Sequence, residues 1–199
     1  MKTPISGRYR PHFQALADLY GRMVAAYAAV AEPLGFTCAH CPRNCCTSHF
    51  QHHTYLEWAY LWQGLRELPE DRRRLYAERA EENARQAAAL LGQGLQPGLM
   101  CPLNDDGRCG LYKHRLMICR LHGVPHRLAP PGRPAQAFPG CFRCQELVQA
   151  AGSEASMDRT PLYVELAALE RRFLGAKAGR LPKVDLTLAQ MIAIGPPRL

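Results

Sequence analysis

Nine cysteines in three clusters constrain this 199-residue chain more than any other feature. The first cluster is Cys38-x2-Cys41-x3-Cys45-Cys46. The second spreads over Cys101, Cys109 and Cys119, and the third is Cys141-x2-Cys144. The N-terminal residues have no apolar core, so no secretory signal is expected. No apolar run approaches the roughly 18–20 residues of a membrane span. The expectation is a soluble cytoplasmic protein with no membrane partner. A reducing compartment disfavours structural disulfides and turns clustered cysteines toward metal ligation or catalysis. The odd count also argues against a simple disulfide framework. A single cysteine is often just a small core hydrophobe. Spacing this regular is not expected of nine such residues.

A C-x2-C pair lets two thiolates reach one metal from a tight turn, with backbone N–H groups pointing at the sulfurs. Two such pairs with five more cysteines among Pro- and Gly-rich loops make a strong signal. The candidate metal ligands are Cys38, Cys41, Cys45, Cys46, Cys101, Cys109, Cys119, Cys141 and Cys144. Closed zinc sites and cubane iron–sulfur clusters each take four protein ligands. Nine cysteines therefore fill two sites with one to spare, or one site with the rest left over. Adjacent Cys45 and Cys46 would point in different directions and so could serve two centres. His40, His49, His52 and His53 crowd the first cluster, and His122 and His126 follow Cys119. Without a second histidine at ligand spacing, each reads by itself as a polar loop residue.

The net charge is +8. The excess concentrates in residues 101–145, which hold seven Lys/Arg against two Asp. A metal with four thiolates has a formal charge of about −2, which nearby guanidinium groups offset. Arg43, Arg108, Arg115, Arg120 and Arg143 stand within a few residues of a cysteine. Of these, Arg43, Arg115 and Arg120 are the candidates for contact with a bound group. Basic excess also fits nucleic-acid binding, and Tyr55, Trp58, Tyr60 and Trp62 could then stack on bases.

The periodicity predicts a mainly α fold: a single helical domain over 1–199 with an irregular cysteine-rich metal-binding lobe. Phe13, Leu16, Tyr20, Met23 and Tyr27 form one stripe of a helix over 11–32. Thr54 and Glu57 have capping-box spacing, opening a helix to about Leu68 that packs on the first. Pro69 opens another to about Leu91, closed by Gly92, with Tyr76, Ala80, Ala84, Ala87 and Leu91 as its buried stripe. Arg72–Arg74 on its other face read as solvated, offset by acids on the same helix. Asn104-Asp105-Asp106-Gly107 signals a turn. A helical turn is expected near 116–119, a loop over 125–139 with its five prolines, and a short helix over 141–151. Thr160 as N-cap and Pro161 at the first position start a C-terminal helix over about 160–174, ended by Gly175. The tail from Gly179 is short, basic and Pro-flanked. The cysteine-cluster region thus spans 38–144 with a helical insert at about 54–91.

The motifs resemble a known family. Cys38-Ala39-His40-Cys41-Pro42-Arg43-Asn44-Cys45-Cys46 is similar to the opening motif of YkgJ-type cysteine-cluster proteins, described as a zinc- or iron-chelating domain. Cys101-Pro102-Leu103, Gly107-Arg108-Cys109-Gly110-Leu111-Tyr112, then Arg115, Cys119 and Arg120 follow that family's CP-L…G-x-C-x-x-Y-x-x-R-P-x-x-C-R pattern. Leu116 replaces the pattern's proline. The resemblance covers about residues 38–144 and implies metal binding without a defined reaction. A related cluster in flagellin lysine methylases leans the choice of cofactor slightly toward an iron–sulfur cluster such as 4Fe–4S over Zn, by analogy alone.

Three functions follow as expectations. The first is a metal-binding protein whose cysteine-ligated iron–sulfur or zinc centre is structural or redox-active. The second is a zinc-stapled nucleic-acid-binding module, and the third an iron–sulfur-dependent protein-modifying enzyme. The chain has no phosphate-binding glycine loop, no H-E-x-x-H and no G-x-S-x-G. An enzyme would therefore need the metal centre itself to do the chemistry. A protein partner is compatible with all three.

Overall fold

The structure is a computed structural model and describes residues 7–38, 41 and 45–199. It is mainly α. The helices are α1 (Arg10–Ala31), α2 (Tyr55–Glu67), α3 (Glu70–Gly92), α4 (Met117–Leu121), α5 (Phe142–Ala151), α6 (Thr160–Leu174) and α7 (Leu188–Ile194). Short strands intervene: β1 (Gln51–His52), β2 (Asn104–Asp105), β3 (Arg108–Cys109), β4 (His126–Leu128), β5 (Gln136–Phe138), β6 (Met157–Asp158) and β7 (Leu186–Thr187). The described residues form two compact units. One holds 7–10, 45–116 and 170–199; the other holds 11–38, 41 and 117–169.

In the first unit Thr54 caps α2, its hydroxyl accepting from the Glu57 N–H. Half-buried Glu170 adds a cap that no local motif announces. Its carboxylate accepts from the backbone of Tyr55 at 2.8 Å and of Leu56 at 2.9 Å. These are two of the N–H groups a helix start leaves without intrahelical partners.

The short, basic C-terminal tail contains α7. Thr187 and Gln190 form a full capping box at its start. Helix α7 packs along α3, while β7 pairs antiparallel with β1. Val184, Ala189, Met191 and Ile192 join Trp58, Leu61, Leu65, Tyr76, Ala80, Leu103, Leu111 and Leu116 in one core. Both indoles, Trp58 and Trp62, donate to the Met191 carbonyl at 2.9 Å. The two tryptophans of α2 are thus bonded to α7, and their N–H groups are spent within the fold.

Along α3, Tyr76, Ala80 and Ala87 are buried as predicted, whereas Leu91, predicted in the same stripe, is 47% exposed. The left-handed residue after α3 is Gly94 (φ 73°) rather than Gly92. The arginine face is only partly solvated, because Arg72 and Arg79 both bind Asp105.

In the second unit Phe13, Leu16, Leu19, Tyr20 and Met23 are the buried stripe of α1, and Leu162, Leu166 and Leu169 that of α6. Arg22 and Glu165 join the two helices in an ion pair. The proline-rich 125–139 stretch is not the expected loop. Strands β4 and β5 pair antiparallel from His126↔Phe138 to Leu128↔Gln136. Strand β4 also pairs in parallel with β6. The prolines sit at 125, 130, 131, 134 and 139, outside both strands, so no ladder N–H is lost. Thr160 does not cap with its hydroxyl, which accepts from Ala129 N–H. Asp158 takes the Thr160 N–H instead, at 2.9 Å.

Candidate metal centre

The two units divide the cysteines. Cys45, Cys46, Cys101 and Cys109 belong to the first; Cys38, Cys41, Cys119, Cys141 and Cys144 belong to the second. None of the nine is in a disulfide.

In the first unit, residues far apart in sequence meet through the backbone. Cys101 N–H donates to the Cys46 carbonyl at 2.8 Å. Cys101 then closes a turn, its carbonyl accepting from Asn104 N–H. That turn leads into the β2–β3 hairpin, where Asn104 faces Cys109. The two-residue loop is Asp106 (φ 49°) and Gly107 (φ 87°). Both lie in the left-handed region, as a type I′ hairpin turn requires. Asp105 anchors the hairpin on α3, accepting from the Tyr76 hydroxyl, Arg72 and Arg79. Gly110 must be glycine here, since a Cβ would stand 1.7 Å from the Tyr76 hydroxyl oxygen.

The surroundings of Cys46 favour negative sulfur, whereas burial of Cys109 favours its neutral thiol. The Cys45 thiol donates to Cys46, and with Asn104 and Arg115 it outweighs burial and pulls Cys46 down to about 6. Burial pushes Cys109 up, opposed by the Leu111 backbone N–H and by Arg115. Arg115 lies over the Tyr112 ring, 4.1 Å from its centre. The two adjacent cysteines therefore interact with each other instead of diverging as the sequence suggested. Buried Asn104 Nδ2 makes no hydrogen bond of ordinary geometry among the described residues, yet its amide favours the thiolate form of Cys46. An N–H held toward sulfur with no other acceptor is what a metal-bound thiolate asks of its surroundings. The donor type, all thiol with an amide donor beside it, is of the kind that zinc or an iron–sulfur cluster takes.

In the second unit Tyr27 is the meeting point. Its hydroxyl hydrogen-bonds Cys38 and also feels Cys141 and Cys144; burial first, then these thiols, push its ionisation well above the usual phenol range. Close backbone contact sets this geometry. Cys141 N–H donates to the Gly123 carbonyl at 2.8 Å. Gly140 (φ 84°) lies so close that a Cβ would come within 2.5 Å of that carbonyl oxygen. Cys141 caps α5, and Cys144 sits buried in its first turn. Burial, then Cys141 and Cys38, push Cys144 up to about 11. Cys41 N–H donates to the Cys38 carbonyl at 3.3 Å. Cys119 is half-buried on α4.

The remaining candidates fall in different places. Arg43 and His40 lie outside the described residues. Arg120 is in the second unit with its guanidinium 4.2 Å above the centre of Tyr20. Arg108 is exposed, and Arg143 half-buried. His52 is buried in β1, pushed down to about 4 by burial. His53 contacts the Val184 carbonyl and Asp185. His126 contacts the Val124 carbonyl and stacks on Phe138 at 4.6 Å. Burial and Arg159 push His122 down. Sequence reasoning missed Tyr27 and Asn104 as neighbours of the thiols, because each is brought in by tertiary structure.

Among the described residues, no three His, Cys, Asp or Glu side chains are grouped closely enough to hold a metal ion as they stand. No described helix is long and apolar enough to cross a membrane. Compared with family models, curated proteins and solved structures, the chain matches none.

Proposed function

We propose that this chain is a metal-binding protein with a cysteine-ligated centre, an iron–sulfur cluster or zinc, serving a structural or redox role. The supporting observation is the assembly of Cys45 and Cys46 with Cys101 and Cys109, from motifs separated by 54 residues, beside Arg115 and Asn104. Four thiols suit either group. Arg115 supplies positive charge, and Asn104 and the Leu111 N–H supply donors to sulfur. The bound group would bring Lewis-acid or electron-transfer chemistry according to its identity; the chain's part is to hold the sulfurs and shield their charge. A bound metal would have to draw these thiols closer together, since among the described residues no three ligand side chains are grouped closely enough to hold one as they stand. The resemblance of the two motifs to YkgJ-type proteins supports the same reading.

Protein purified without oxygen tests this through its absorption spectrum and its iron, zinc and acid-labile sulfide content. Brown protein with iron and sulfide identifies a cluster, and colourless protein with stoichiometric zinc identifies a zinc centre. Protein carrying neither would overturn the proposal.

A further inference from the structure

We infer that the chain holds two thiolate metal centres, one in each unit, with the ligand sets parting inside the first cysteine motif, between Cys41 and Cys45. This rests on the proposal that the cysteines ligate metal. The first unit contains four thiols, Cys45, Cys46, Cys101 and Cys109. That is one full four-ligand shell. The second contains five, Cys38, Cys41, Cys119, Cys141 and Cys144, one more than a shell requires. Each set draws on the first motif and on a later one: Cys46 is bonded to Cys101 through the backbone, and Tyr27, whose hydroxyl hydrogen-bonds Cys38, lies within electrostatic reach of Cys141 and Cys144.

The sets also have different surroundings. Asn104, Arg115 and the Leu111 N–H attend the first. Tyr27 attends the second, with Gly123 and Gly140 allowing the close approach that seats Cys141. Second-shell donors tune and orient the ligands they touch, so the two centres would differ in affinity and, if redox-active, in potential. The spacing of the motif agrees. Cys41 N–H donates to the Cys38 carbonyl, while Cys45 and Cys46 open a helical turn over Cys45–Thr47.

The experiment compares metal and sulfide per chain in anaerobically purified wild-type protein with the pair variants C46S/C109S and C38S/C141S. Each pair should retain about half of the wild-type metal, and combining them should remove it all. The single variants C46S and C141S disturb the fold less and should divide the content in the same way, with helical circular dichroism confirming intact protein. If either pair alone removes all metal, there is one centre and the inference fails. It also fails if either pair leaves the content unchanged. Wild-type protein with no iron or zinc would instead defeat the proposed function, so the two failures are distinguishable.

Discussion

Cys101 donates its backbone N–H to the carbonyl of Cys46 at 2.8 Å, joining two cysteine motifs separated by 54 residues. The bond uses main-chain groups only, so it sets the approach of the two motifs without occupying either sulfur. From that point the chain turns through Asn104 into the hairpin that ends at Cys109.

The hairpin is positioned by Asp105, which accepts from Tyr76, Arg72 and Arg79. Asp105→Ala leaves Tyr76 and two guanidinium groups without this acceptor. We expect a loss of about 1–3 kcal/mol in urea unfolding and a lower metal content through displacement of Cys109. Unchanged stability and unchanged metal would show that the carboxylate does not position the hairpin.

Gly110→Ala places a methyl group 1.7 Å from the Tyr76 hydroxyl oxygen, so α3 and the hairpin must separate. Overpacking of this kind costs about 1–3 kcal/mol. Gly98→Ala is the control, since nothing lies within 4 Å of its Cβ, and should stay within about 0.5 kcal/mol of wild type. Equal effects of the two substitutions would contradict the packing described.

His52 makes stability depend on pH. Burial holds its folded-state pKa down to about 4, against about 6.5 in the unfolded chain. The unfolded state therefore takes up the proton first as pH falls. Stability is fully present above about pH 6.5 and is lost progressively down to about pH 4. Between pH 7 and pH 5 the contribution falls by about 2 kcal/mol. Denaturant unfolding of wild type and His52→Phe at both pH values should show a smaller decline in the variant. Equal declines would mean that His52 titrates normally in the folded state.

Much of the helical fold was legible because its signals are local. The stripe Phe13, Leu16, Tyr20 and Met23 and the Thr54 cap need only neighbours in sequence. The Thr187–Gln190 capping box was equally local, but it opens a helix of only seven residues, too short to show a periodic stripe. The β4–β5 hairpin was hidden because prolines dominate its flanks while its strands have three residues each. At the candidate centre the cysteine motifs and the turn at Asp106-Gly107 were visible. The partition of the thiols was not. It depends on a backbone bond from Cys101 to Cys46 and on Tyr27 arriving from α1, neither of which leaves a spacing pattern. Glu170 capping α2 is the same kind of long-range feature.

Sulfur coordination at the bound metal tests the central claim most directly. X-ray absorption at the iron or zinc edge of anaerobically purified protein reports the ligand atoms and their distances. Four sulfur neighbours per metal at about 2.3 Å are expected, from cysteine alone at zinc or from cysteine and sulfide in a cluster. A shell of nitrogen or oxygen at about 2.0–2.1 Å without sulfur would contradict thiolate ligation.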